Sequence, residues 1–173
     1  MKKCVILLAL MLLLSGCGSE PTLETIADEQ LQSVSAKVQQ VLVDLPVNAG
    51  VPVMQSEDGA ALYLCDGFTV TVQTMEAGDL DKTLRSATGY GRQALELMET
   101  ADEAGKRYQC VFAAAGEGQT QVGRASIIDD GSFHYVLTVL APEQTAGAVA
   151  EQIQTVLDSF RVAAADLPIN TGS

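Results

Sequence analysis

Few residues in this chain have the type and spacing to do chemistry, and each has an ordinary structural role to compare it with. The single histidine, His134, lies mid-strand in Phe133-His134-Tyr135-Val136-Leu137 and points away from the face of Phe133, Tyr135 and Leu137. Nucleophilic hydrolysis needs a nucleophile, a base and an orienting group held together. No Gly-x-Ser-x-Gly turn occurs, so a structural or solvent-facing histidine is expected. Gly116-Glu117-Gly118-Gln119-Thr120-Gln121-Val122-Gly123 is glycine-rich, yet it lacks the Lys-Ser/Thr of a phosphate-binding loop and the dinucleotide-binding spacing. It lies between two expected antiparallel strands and reads as a turn. The acidic pairs at Asp79-Leu80-Asp81, Asp102-Glu103 and Asp129-Asp130-Gly131 lack calcium-loop spacing, and turn or helix-cap roles explain them. No metal ligand set and no cofactor site is expected, and paired carboxylates for glycoside hydrolysis cannot be assigned without a cleft.

The four cysteines divide by position. Cys4 falls in an apolar run, Cys17 ends it, and Cys65 and Cys110 fall among strand apolars. Export would permit a Cys65–Cys110 disulfide, which on the chain-entropy view contributes about 4 kcal/mol. The bond requires Cα atoms within about 7 Å. Buried free thiols are the alternative, since unpaired cysteine is common in cores, and a metal site with His134 is a third.

The first seventeen residues carry the most specific pattern. A basic Met1-Lys2-Lys3 start is followed by eleven apolar residues, Cys4 to Leu14, and then Ser15-Gly16-Cys17. Basic head, apolar middle and small residues before a cut are the parts of an export signal. As a helix the run would reach about 17 Å, short of the roughly 30 Å hydrocarbon core. Leu14-Ser15-Gly16-Cys17 resembles the lipobox of bacterial lipoproteins. The resemblance covers about the first twenty residues and implies cleavage between Gly16 and Cys17, with a diacylglyceryl lipid on the Cys17 sulfur. Two or more acyl chains there, palmitate among them, would hold the chain stably on the extracytoplasmic face of a cell membrane. Gly18 follows, so the aspartate that marks inner-membrane retention in some Gram-negative cells is not there.

Those attachments lead into elements that would position any site. With residues 1–16 removed, eight basic residues face 22 acidic ones, a net charge of −14. Such a field repels phosphate backbones and anionic headgroups, which excludes nucleic acid as a partner. Leu23, Ile26, Leu31, Val34, Val38, Val41, Leu42 and Leu45 recur at three- and four-residue steps, predicting an amphipathic helix of about 22 residues. Pro46 stops it, and Val47 to Asp58 reads as a linker. From Gly59 the period becomes two. Ala61 to Cys65 and Phe68 to Met75 form an expected hairpin around Asp66-Gly67, and Asp79 caps a short helix through about Thr88. Strands over Leu95–Ala101, Lys106–Ala114, Gln119–Asp129 and Ser132–Ala141 make a meander. A closing helix runs from Pro142 to Phe160, with Pro142 in its first turn.

This order predicts an α+β domain: an antiparallel β-sheet with packed helices over residues 59–162. Residues 17–58 are then anchor, helix and linker, and 163–173 a flexible tail. The near match of Leu167-Pro168-Ile169-Asn170-Thr171-Gly172 to a sortase signal has one residue too many and no apolar span after it. The element order, closing in Val156-Leu157-Asp158-Ser159-Phe160-Arg161-Val162, is similar to the PsbP/Mog1-like α/β/α sandwich. A cystatin-like or other helix-on-sheet arrangement competes. The resemblance transfers no functional residue, because such domains serve varied roles. The expectation is a non-enzymatic envelope lipoprotein whose domain binds a protein or envelope component. A small-molecule or ion-binding accessory module of a membrane complex is the alternative, and an envelope hydrolase ranks below both.

Overall fold

The computed structural model describes residues 38–56, 59–102, 104–116 and 118–163. The expected export signal, Gly16, Cys17, most of the amphipathic helix and the tail from 164 lie outside the described residues. Nine strands and two α-helices are described: β1 Val41–Leu42, β2 Met54–Gln55, β3 Ala61–Cys65, β4 Phe68–Glu76, α1 Leu80–Thr88, β5 Met98–Asp102, β6 Gly105–Ala115, β7 Thr120–Asp129, β8 Phe133–Pro142, α2 Ala150–Ser159 and β9 Arg161–Val162. Seven strands form one antiparallel sheet in the order β2-β3-β4-β8-β7-β6-β5, and β1 pairs with β9 separately.

Alternation along each strand divides the sheet into two buried faces. Phe68, Val70, Ile128, Tyr135, Leu137, Val139 and Ala141 point to one side and pack with Ile153, Val156, Leu157 and Phe160 of α2 and the residue after it. Tyr108, Cys110, Phe112, Ala125, Ile127 and Val136 point to the other side, under Leu84 of α1. β8 lies in the middle and is buried on both faces, which is why its sequence is apolar almost without interruption. The described residues therefore form an α+β domain with a helix on each face of the seven-stranded antiparallel sheet.

Local chemistry accounts for the junctions. Gly67 turns the β3–β4 hairpin at φ 85°, a conformation that costs glycine little. Asp79 caps α1 by accepting the Asp81 amide at 2.9 Å, and Gly89 ends it in the left-handed region at φ 82°. On β7, Gly123 has no side chain because the Phe112 ring lies against it from β6.

Three expected boundaries are corrected. Residues 38–45 are extended, not the end of a helix: Val41 pairs with Val162, and Val41, Val43 and Leu45 pack on the α2-side core. Their period of two was hidden inside a pattern that also fits helical steps, and β-branched Val41 and Val43 suit a strand. The supposed linker contains β2, where Met54 pairs with Leu62, so residues 41–55 belong with the globular domain. Pro142 ends β8 instead of starting a helix. Its carbonyl accepts from Thr145 and Ala146 in a run of turns, and α2 begins only at Ala150, after helix-weakening Gly147. A smaller shift moves the Leu95 strand to Met98, behind a 3-10 turn at Arg92–Ala94.

Candidate functional site

His134 sits on the α1 side of β8 as the alternation implied, and it is buried, with 1% of its surface exposed. β8 aligns it with Asp129 on β7 and Met75 on β4, while α1 brings Thr83 above it. Thr83 Oγ1 lies 2.7 Å from Nδ1, and Asp129 Oδ2 lies 3.6 Å from Nε2. A proton on Nε2 faces the carboxylate and leaves Nδ1 to accept from the threonine hydroxyl, so one tautomer satisfies both neighbours. The connectivity is that of nucleophile, base and orienting acid. Its accessibility is not: Thr83 is 3% exposed, and no substrate carbonyl could reach it. The set fastens α1 to the sheet. Thr83 was not singled out by sequence reasoning, although its place between Leu80 and Leu84 on the inward stripe of α1 was a signal.

Cys65 and Cys110 are both free thiols. They stand on β3 and β6, which the strand order separates by β4, β8 and β7. Four inter-strand steps of about 4.8 Å put them roughly 19 Å apart, so of the readings open to this pair the disulfide is out of reach and the free thiols stand. Burial pushes both thiols up, with a hydrogen bond from the Ala125 backbone working against it at Cys110. They are thus poor nucleophiles and poor metal ligands. Among the described residues no three of His, Cys, Asp and Glu converge as a metal site.

The acidic clusters hold turns. Asp81 accepts from the Arg92 amide and from Arg85 Nε at 2.6 and 2.7 Å, and these partners lower its carboxyl. Asp102 takes the Ala104 amide, and Asp129 the Gly131 amide. Asp130 does more. It accepts from the amides of Ser132 and Phe133 and, at 2.9 Å, from the Tyr135 hydroxyl, which in turn accepts the Gln39 amide. Burial raises this carboxyl, but the Phe133, Ser132 and Tyr135 donors and the neighbouring His134 outweigh it and hold it below the usual range. The glycine-rich stretch closes the β6–β7 hairpin through Gly116 N–H to the Gln119 carbonyl, as its turn reading required.

Two surfaces remain that sequence reasoning did not locate. On the α2 face the sheet is wider than its helix, and a cleft of about 560 Å³ opens over β5, β6 and β7 beside α2. Met98, Gln109, Val111, Arg124, Gln154 and Leu157 line it, with Glu96 at the approach to β5. At the opposite end of the sheet, Val47, Val51, Val53, Met54 and Leu64 expose apolar side chains around β2 and β3. Neither was legible beforehand, because both depend on how far each helix covers the sheet. Among the described residues no helix is long and apolar enough to cross a membrane.

No protein-family model and no curated protein matches the chain. Among solved structures it is similar to cyanobacterial PsbP (CyanoP) from Synechocystis sp. PCC 6803, at 14% identity over 75% of this chain and 96% of that one, with a TM-score of 0.46. It is also similar to LpqN, involved in cell envelope biogenesis of Mycobacterium tuberculosis, at 13% identity over 75% and 88% of the two chains and a TM-score of 0.39. The Ran-binding protein Mog1p of Saccharomyces cerevisiae matches at 15% identity over 75% and 82%, with a TM-score of 0.34. These are likenesses of chain path, and no side chain is carried over from them.

Proposed function

We propose that the protein is a lipid-anchored, extracytoplasmic envelope protein whose α+β domain is a non-catalytic interaction module. The observation that carries the interaction reading is the apolar edge around β2. Five of the nine large apolar side chains exposed among the described residues cluster there, with Val51 81% and Met54 64% exposed. Exposed apolar patches of this kind mark contact sites. β2 is also the last strand in the sheet order, and among the described residues no strand pairs with its outer edge, which could take an added strand. The anchoring reading rests on the Leu14-Ser15-Gly16-Cys17 pattern and its basic and apolar lead-in.

The test is photo-cross-linking in the producing cells, with the photoreactive residue replacing Met54 or, as a control on the exposed side of α1, Lys82. A discrete adduct from Met54 and none from Lys82 is expected. Adducts from neither position, or from both alike, would remove the interaction reading. Anchoring is tested separately: Cys17→Ser should leave an unprocessed or released chain without lipid label, and normal membrane retention with label would refute it.

A further inference from the structure

We propose that the cleft between α2 and β5–β7 is a binding site for a small organic anion, one carboxylate on an apolar body, with Arg124 as its counter-ion. The inference is independent of the interaction reading, because the apolar edge lies at the other end of the sheet.

The argument starts from the guanidinium. Arg124 projects from β7 on the α2 side, directly across from Val111 on β6. Nη1 donates to Gln154 Oε1 at 2.9 Å, and Gln154 Nε2 donates to Asp158 Oδ1 at 2.8 Å one turn further along α2. The acid therefore orients the amide, and the amide orients the arginine. No carboxylate comes within 4 Å of Arg124 among the described residues, as is also true of Lys82, Arg92 and Arg107, and of these four only Arg124 lines the cleft. A cation that is positioned but not neutralised, in an acidic protein, leaves several N–H donors in the planar fork that suits a carboxylate.

The rest of the lining fits the apolar part of such a ligand. Met98 and Val111 are 59% and 61% exposed, and Leu157 forms the α2 wall. These side chains sit in a concavity, not on a convex surface, and about 560 Å³ lies within the range of small-molecule sites. Gln109 and Gln154 add amide groups beside the guanidinium. Glu96 is exposed at the approach to the cleft and bonds none of these groups, so a ligand's one negative charge has Arg124 as its partner while a second would meet acid. This is why a monocarboxylate is favoured over a polyanion such as a nucleotide.

The methionines provide the readout. The full chain, held in phospholipid nanodiscs and labelled with methyl-13C methionine, is titrated with octanoate, octanol and octylamine. Met98 lines the cleft, while Met54 lies on the far edge and Met75 on the α1 side, so the latter two report membrane partitioning and general effects. Octanoate should shift the Met98 methyl saturably with Met54 and Met75 unmoved, and octanol and octylamine should bind at least tenfold more weakly. Arg124→Gln should weaken octanoate at least tenfold with Tm unchanged within a few degrees. Should that variant fail to fold, Gln154→Ala, which releases the guanidinium without removing it, should weaken octanoate several-fold. Equal binding of the three probes, equal binding to the variants, or a Met98 methyl that stays unmoved up to the octanoate concentration at which the nanodiscs come apart would overturn the proposal.

Discussion

At the scale of single residues the most informative side chain is His134. A histidine, a hydroxyl and a carboxylate in line invite a catalytic reading, and burial decides against it. Thr83 and His134 are each closed off from solvent, so their contact contributes to the fold. Deleting one partner strands the other in a low-dielectric setting. Thr83→Val should cost about 1–2 kcal/mol and His134→Leu about 2–3 kcal/mol, while the double variant should cost less than the sum. Urea denaturation of the four proteins measures this. Strict additivity would mean that the 2.7 Å contact carries no coupling. The same reasoning covers Phe160, whose buried ring lies under the Arg107 guanidinium while its carbonyl accepts from that arginine at 2.9 Å. The residue that closes the Ser-Phe ending is a core plug, and Ser159 Oγ beside it takes the Asp44 amide at 2.9 Å.

Element scale concerns how the entering chain is fixed to the domain. β1 pairs with β9, the Ala163 amide bonds the Gln40 carbonyl, and Gln39 reaches Tyr135 and Asp130 at the β7–β8 turn. Asp130 thereby joins three segments through one carboxylate. Its folded value is depressed, so the stability it contributes is complete above the unfolded carboxylate value of about 4 and is lost as pH falls through the lower folded value. Asp130→Asn should lower stability by about 1–2 kcal/mol at pH 7 through the lost charge-assisted hydrogen bonds, and the gap from the parent should narrow as pH falls below about 4. Denaturation at pH 7, 5 and 3 checks both statements. A gap of constant size across that range would show that the charge of Asp130 plays no part.

For the whole molecule, the strand order is the decisive quantity. It places β2 and β5 at the two edges, and it sends Cys65 and Cys110 to strands four steps apart. Both thiols should therefore remain free under oxidising conditions. Ellman's reagent should titrate them in unfolded protein that has never been reduced, and Tm should not change with reductant. A fall in Tm on reduction, or thiols missing from the titration, would count against this sheet. The two helices are too short to cover seven strands, and the uncovered margins are the cleft beside α2 and the apolar rim beyond β3.

Local chemistry was enough to read much of this protein from its residues alone. Asp66-Gly67, the Asp79 cap, the four long strands and the inward stripe of α2 follow from turn propensity and periodicity, which act over a few neighbours and do not need the rest of the fold. Residues 38–45 show where such reading ends: apolar steps of two, three and four coexist there, and only the availability of Val162 as a partner selects a strand. Which side chains meet across the sheet, how much of each face a helix covers, and whether Arg124 finds a carboxylate all depend on contacts between segments far apart in the chain. Those are properties of the packed sheet, and the candidate site is made of them.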